Sequence, residues 1–557
     1  MSKELYLDLM DVVLDAYSPE QIRLYIDDVI KNSITEHGFP RLTANLGILI
    51  AHGRKTELRD LFLEMMDLCC SEIPVCHEKN GFVTGNDFSV KEIVFCILEL
   101  EKVKIFPENI TELWRSDLAK IEPQKVYSVI AEVPPKRINN WAAFGAASEQ
   151  IRKYAGIGDE SDFIENQIKS QLFSFDDNGM YRDPNEPIVY DMVTRLQLAV
   201  ALYFGFDGES RDELEANLIK SADITLKMQS VTGEILYGGR SNQFLHNETF
   251  YAALCEFYAS LFKKKGDLKK AGQFKKAARI AAESIVPWLN DEKKPHIKNY
   301  YDTDSMYGCE DYAYYKKYMV TTASWLYFAY AMCEDIEEVS ETYNTYICET
   351  TEYFHKVFLK RGDYFAEFDT MADEHYDATG LGRIHKKGVP SALCLSVPFS
   401  PNPNYIINGK NNSPFSICGG VKTDSGYVYS YDKSVKYKLI NKQISDECIC
   451  VEFACTDHNN ILFTEKYIVS DNGIEMRVEG NGELEIMLPV FKFDGRDHTE
   501  IHCSQGLLTV NYKGHICKYV SESNFTSTDR IYENRNGEYA AYKLSGKNSI
   551  GLNIYIS

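Results

Sequence analysis

"LKRGDYFAEFDT", residues 359–370, marks a change of grammar in the chain. Before it, apolar residues recur every three or four positions, the spacing of a helix with one buried face. After it they alternate every two, the spacing of a half-buried strand. Upstream, amphipathic stretches fall near 41–53, 55–70, 89–103, 139–155, 160–173, 188–205, 209–228, 243–264, 266–289, 310–333 and 336–358. "SPEQIRLYIDDVI" (18–30) adds another, with Ser18 as cap and Pro19 at the first helical position. No self-similarity at fixed period accompanies these helices, which argues against a solenoid. A closed ring of helical hairpins, an α/α toroid, fits better. Downstream, residues 425–444, 447–491 and 537–557 alternate with period two, broken by Asp471-Asn472-Gly473 and Asn481-Gly482 turns. The expectation is an α+β multidomain protein: an α/α toroid over residues 1–360, then an antiparallel β-sandwich over 361–557.

A chain of 557 residues exceeds one ordinary core, in keeping with two domains. Its 44% hydrophobic and 25% charged residues are those of a folded globular protein. A formal net charge of −22 argues against nucleic acid as partner and requires a local basic pocket for any anionic ligand. With 37 Tyr against 4 Trp, the aromatic content suits sugar-lined clefts, although tyrosine also serves ordinary packing. The first twenty residues carry acids and no basic leader, and no run has the length of a membrane span. Fifteen cysteines without framework spacing, among them Cys96, Cys255, Cys333 and Cys394 in apolar context, read as reduced thiols of a cytoplasmic protein. Cys448 and Cys450 share a strand face and read as packing. "CCSEIPVCH" (69–77) lacks a zinc spacing.

Five stretches are more polar and aromatic than packing requires. "RINNWAAFGAASE" (137–149) places Asn139 and Asn140 before Trp141 at a helix start. "DDNGMYRDPNEPIVYDMVTR" (176–195) carries Arg182, Asp183, Tyr190 and Asp191 into a helix, with Arg195 a turn later. "YGGRSNQFLHNETF" (237–250) offers Arg240, His246 and Glu248, with Ser241 or Asn242 as an alternative, purely capping use. "YDTDSMYGCEDYAYYKKYM" (301–319) holds Glu310, Asp311 and Tyr314. "DEHYDATGLGRIHKKGVPS" (373–391) holds His375, Asp377, Arg383 and His385, which read as hydrogen-bonding residues with a structural metal as the alternative. Four of the five open successive inner helices, so in a toroid they converge on one end of the ring. Convergent polar groups of that kind mark a binding site.

With "NNW" opening one helix and "GMYRDPNEPIVYDMVTR" another, the chain resembles the heparinase II/III-like and alginate-lyase-like toroid enzymes. It also resembles the exo-acting β-glucuronidase glycoside hydrolases built on the same toroid. The resemblance implies action on uronic-acid-containing oligosaccharides. Lyases of this group typically show Asn-Asn-His where this chain has Asn139-Asn140-Trp141. Elimination would call on Tyr190, His246, Tyr314 or His385 for proton transfer, with Asn140 and Arg240 on the uronate carboxylate. Hydrolysis would call on two carboxyl groups from Glu248, Glu310, Asp311 and Asp191. With that histidine missing, hydrolysis is the preferred expectation: Glu248, Asp311, Glu310 and Tyr190 catalytic, Arg240 helped by Arg182 or Arg383 on the carboxylate. Asn139, Asn140, Trp141, Asp191, His246, Tyr314 and His385 complete the substrate contacts. A non-catalytic glycan-binding protein is the third reading. No cofactor or metal is expected, and self-association stays open.

Overall fold

The computed structural model describes residues 3–81, 85–130, 139–184, 188–339, 343–458 and 460–557. Six helices among them pack each against the next and the last against the first: Gly38–Ala51, Asn86–Val103, Asn140–Tyr154, Tyr190–Tyr203, Leu245–Lys264 and Tyr315–Met332. That closure makes the α/α toroid. Helices Glu4–Leu14, Arg59–Glu72, Glu108–Leu118, Ser161–Leu172, Arg211–Lys220 and Leu268–Ser284 pack behind the inner ones. Sequence decides which layer a helix joins. The outer Glu108–Leu118 buries one stripe, Thr111, Trp114 and Leu118. The inner Leu245–Lys264 is buried on all sides from Leu245 to Phe262, and no helix among the described residues is long and apolar enough to cross a membrane. Small residues let the inner helices approach. A Cβ on Gly47 would lie 2.3 Å from Cys96 Sγ and 2.4 Å from Phe62. The Pro19–Asn32 helix starts as its sequence suggests, with Ser18 and Gln21 exchanging hydrogen bonds of 3.3 and 3.1 Å in a capping box.

The sheet part holds a four-stranded antiparallel meander, β1 (Thr345–Glu349), β2 (Lys356–Arg361), β3 (Tyr364–Asp369) and β4 (Gly380–Lys386). The second sheet contains β5 (Cys418–Thr423), β6 (Gly426–Tyr429), β7 (Lys436–Ile444), β8 (Cys448–Asp457), β9 (Asn460–Ser470) and β10 (Ile474–Phe493). It continues with β11 (Glu500–Ser504), β12 (Leu507–Tyr512), β13 (His515–Val520), β14 (Thr526–Asn534) and β15 (Gly537–Ile556). The two sheets share one core. Phe368 of β3 lies 4.9 Å from the Phe453 ring of β8 and 4.8 Å from that of Tyr467 in β9, so the architecture is a sandwich.

Three local expectations change. Residues 343–358 form no helix: β1 and the first half of β2 lie there, because Thr345, Tyr346 and Ile347 are β-branched or aromatic and offer no helical stripe. Asn481-Gly482 is not a hairpin turn. β10 runs through it and pairs with β15 on both sides of a bulge, with Gly482 at φ +105° and its N–H on Asn548 Oδ1. Finally, the chain does not cross from ring to sandwich once near residue 361. Residues 224–244 and 297–314 group with the sandwich, while 245–296 and 315–339 group with the ring.

Candidate functional site

The polar stretch at 237–250 therefore divides. Leu245 onward belongs to the ring; Tyr237 to Phe244 form a strap on the sandwich. The strap's backbone is unusual, with Gly238 at φ +128°, Gly239 at +71°, Ser241 at +56° and Gln243 at +69°. Left-handed Ser and Gln persist only where neighbours fix them. Here the Ser241 N–H donates to Glu310 Oε1 at 2.7 Å and the Gly239 N–H to Asp377 Oδ2 at 3.1 Å. Asn536 Nδ2 donates to Gln243 Oε1 at 3.2 Å. The helix starts only at Leu245, so neither Ser241 nor Asn242 stands next to its first residue; Asn242 Nδ2 donates to the Leu236 carbonyl and its Oδ1 accepts from Gln243 Nε2. Much of the polar density that the sequence shows is thus spent holding the strap.

Several expected site residues share this task. Glu310 is buried in a two-pronged ion pair with Arg535, at 2.7 and 3.2 Å. Arg383 is fully buried, donating to the Ser396 and Ile235 carbonyls at 2.9 and 2.6 Å with Glu367 at 3.3 Å. His385 sits among Ser230, Thr232 and Ser396 hydroxyls at 2.7, 3.1 and 3.1 Å, and burial, then Arg383, pushes its pKa well below the ordinary range. His375 is exposed and faces the Asn402 carbonyl, so it, Asp377 and His385 each have separate partners. Asp311 is exposed, while Arg240 and Tyr314 are half-buried. Beneath them lies a charge network the sequence did not announce. The Lys356 ammonium is 2.9 Å from Asp369, 3.6 Å from Glu367 and 3.4 Å above the Tyr237 ring. Burial raises Glu367 to about 7 against the pull of Arg383 and Lys356, and raises Asp377 to about 6. Burial also opposes ionisation of Asp369, yet His355 and Lys356 hold it at about 2.

The ring brings other residues together. Its inner helices open at Gly38, Asn86, Asn140, Tyr190, Leu245 and Tyr315; ring contacts join the openings at Gly38, Asn86 and Asn140, and those at Leu245 and Tyr315. His37 meets the Phe88 ring at 5.1 Å, and Phe88 meets Trp141 at 4.9 Å and Phe144 at 4.5 Å. Arg41 donates to Thr321 Oγ1 at 2.9 Å and to Glu92 Oε1 at 3.0 Å. His246 packs edge-on against Tyr318 at 5.2 Å. Burial and the charges of Arg41, Lys317, Lys91 and His246 press His37 well below the ordinary histidine pKa.

Asn139 caps its helix through the Trp141 N–H at 3.0 Å. Asn140 gives its backbone N–H to Asp183 Oδ1 at 2.8 Å and its amide NH2 to both Asp183 oxygens at 3.3 and 3.2 Å. Glu248 is fully buried in the first turn of its helix, and Tyr190 is half-buried at the start of its own. Asp191 is locked to Arg195 at 2.8 and 2.5 Å and accepts the Tyr181 N–H at 2.6 Å. Arg182 stands exposed on its turn, bonded to the Ser174 and Phe173 carbonyls. His37, Arg41 and Lys91 are the ring-end residues that sequence reasoning passed over, and Asp183 was named in its stretch without a role. Charges inside apolar helical runs, as in "PRLTANLGILI" (40–50) and "SVKEIVFCILEL" (89–100), were the available signal.

No protein-family model matches the chain, and no curated protein matches it. Solved structures with a similar course include the heparan sulfate lyase HepC from Pedobacter heparinus, at 9% identity, covering 93% of this chain and 75% of that one, TM-score 0.47. Another is a GH127 β-L-arabinofuranosidase from Geobacillus stearothermophilus T6, at 9% identity, covering 99% and 96%, TM-score 0.34. A third is the chondroitin lyase ODV-E66, a baculovirus envelope protein, at 10% identity, covering 71% and 83%, TM-score 0.22. The assignment of fold rests on the closed ring and the stacked sheets themselves.

Proposed function

We propose that this protein is a carbohydrate-active enzyme that removes a uronic acid from an oligosaccharide by hydrolysis at the N-terminal end of the helical ring. The observation that carries the reading is the set of ring contacts between inner-helix first turns, His37 on Phe88, Phe88 on Trp141 and His246 on Tyr318. Parallel helix N-termini favour a negative group, and aromatic faces suit a sugar ring. Hydrolysis needs two carboxyl groups beside the glycosidic oxygen. Asp191 is bound to Arg195 and Glu310 to Arg535, and such pairs are poor proton carriers. Glu248 and Asp183 are the carboxylates of the ring end to which we assign the work, Glu248 as general acid and Asp183 as its counterpart.

Elimination is the second reading, favoured by Tyr190 and by His246 against Tyr318 at the same end. It is weakened by Asn140, whose amide NH2 faces Asp183 where a uronate carboxylate would need it. A panel of uronic-acid oligosaccharides, read for released free sugar and for the absorbance of an unsaturated uronate, separates the two. Free sugar without absorbance supports hydrolysis, and rising absorbance replaces it with elimination. Retained binding with no turnover on any member would make the protein a glycan binder.

A further inference from the structure

Two buried side chains at the ring end carry a donor with no acceptor among the described residues, and a buried lysine beside them has no bonded carboxylate there. Arg41, 3% exposed, uses Nε on Glu92 and Nη1 on Thr321, while its Nη2 has no partner among the described residues. Trp325, 2% exposed, has an Nε1 with no partner among the described residues. Lys91, 0% exposed, donates to the Phe88 carbonyl at 2.5 Å and lies 4.7 Å from the centre of the Phe144 ring, and no carboxylate bonds it among the described residues. The three meet at one place. The Arg41 guanidinium lies 5.5 Å and the Lys91 ammonium 6.0 Å from the Trp325 ring centre. Buried polar groups normally find partners, and a lysine without a bonded carboxylate is a rare exception.

We propose that Arg41, Lys91 and Trp325 form an oxyanion subsite that takes a carboxylate or sulfate group of the glycan; this rests on the reading of the ring end as the glycan site. A guanidinium edge beside an ammonium suits an anion with several acceptor oxygens better than it suits a neutral hydroxyl. The Arg41 charge already has a counter-ion in Glu92, so the ligand's charge balances Lys91. Burial and Arg41 press the Lys91 pKa down to about 7 against the pull of Glu92 and Asp87, which is the condition an incoming anion would relieve.

The test is calorimetric binding of D-glucuronate, glucose 6-sulfate and glucose to the wild-type chain, Lys91→Met and Trp325→Phe. The wild type should bind at least one anionic sugar more tightly than glucose, and the preferred one tells carboxylate from sulfate. Lys91→Met should weaken that sugar about tenfold or more, and Trp325→Phe several-fold, with glucose unchanged. Trp325→Phe removes one N–H and keeps a ring, so it carries the test if Lys91→Met fails to fold. Equal affinities for all three sugars in the wild type, or wild-type anion binding in the folded variants, would overturn the proposal. Binding is read without turnover. A protein that cleaves no uronide can therefore still possess the subsite, whereas one whose Lys91→Met variant cleaves uronides with unchanged KM lacks it and keeps the function.

Discussion

Replacing Lys91 by methionine should stabilise the helical ring at neutral pH, and the gain should shrink as pH rises. Burial, then Arg41, brings the Lys91 pKa from 10.5 in the unfolded chain to about 7. The charged form is therefore the one folding disfavours. Its destabilisation is complete below about pH 7, where both states carry the proton, fades as pH rises toward 10.5, and vanishes beyond. At about 1.4 kcal/mol per pH unit, the gap between 10.5 and about 7 amounts to about 5 kcal/mol in full, of which about 4 remains at pH 7. Between pH 7 and 9 the wild type should recover about 2 kcal/mol that Lys91→Met cannot. Of the Lys91 neighbours, Asp87 titrates near 6 and His37 well below its ordinary range, both under this window. Trp114, Trp141, Trp288 and Trp325 all lie in ring segments, so urea unfolding followed by tryptophan fluorescence reports this unit alone. The buffers must lack sulfate and phosphate. Parallel stability–pH curves for the two proteins would refute the reasoning, as would a variant less stable than wild type at pH 7.

Glu248→Gln should keep the wild-type melting profile and lose turnover by orders of magnitude; near-normal turnover on uronides would remove Glu248 from the chemistry. Arg535→Met should destabilise the sandwich by about 3–5 kcal/mol, because Glu310 stays buried without its counter-ion, and a tyrosine-monitored melt within a degree of wild type would contradict that. Gly47→Ala should cost about 1–3 kcal/mol by overpacking against Cys96 and Phe62, and paired Gly47→Ala and Cys96→Ala should recover part of it. Arg240→Lys keeps the charge and loses the fork, so a rise in uronide KM with kcat little changed is expected if Arg240 meets the substrate, and unchanged kinetics would exclude it.

Periodicity made the ring and the sandwich legible because each residue's layer is set by its local pattern. Trp114 on an outer stripe and the all-buried Leu245–Phe262 run show this directly. The Ser18 cap was readable for the same local reason. What stayed hidden is pairing at long range. Nothing in "GGRSNQ" (238–243) announces that Ser241 is held by Glu310 or Gln243 by Asn536, so its polar residues read as a cleft lining. Arg383 and His385 looked available because a sequence does not show whether a basic residue is already bonded; Glu367 and three hydroxyl side chains answer that. Arg41 and Lys91 had the opposite fate, since a charge within an apolar run is easily taken for tolerated surface.

The strap has a bearing on how such a chain can be made and rearranged. Tyr237 waits for Glu367, 130 residues later; Gly239 waits for Asp377 at 138 residues and for Arg535 at 296. During synthesis the ring's middle segments emerge long before the partners that fix their intervening excursions, so Ser241 and Gln243 reach their left-handed backbone only late. A cut near residue 361 would leave the C-terminal piece with Arg535 and Asp377 facing no Glu310 and no Gly239. Exchange of whole modules between proteins normally works at single crossover points. Here two excursions must travel with the sandwich, which binds the inheritance of the two halves together.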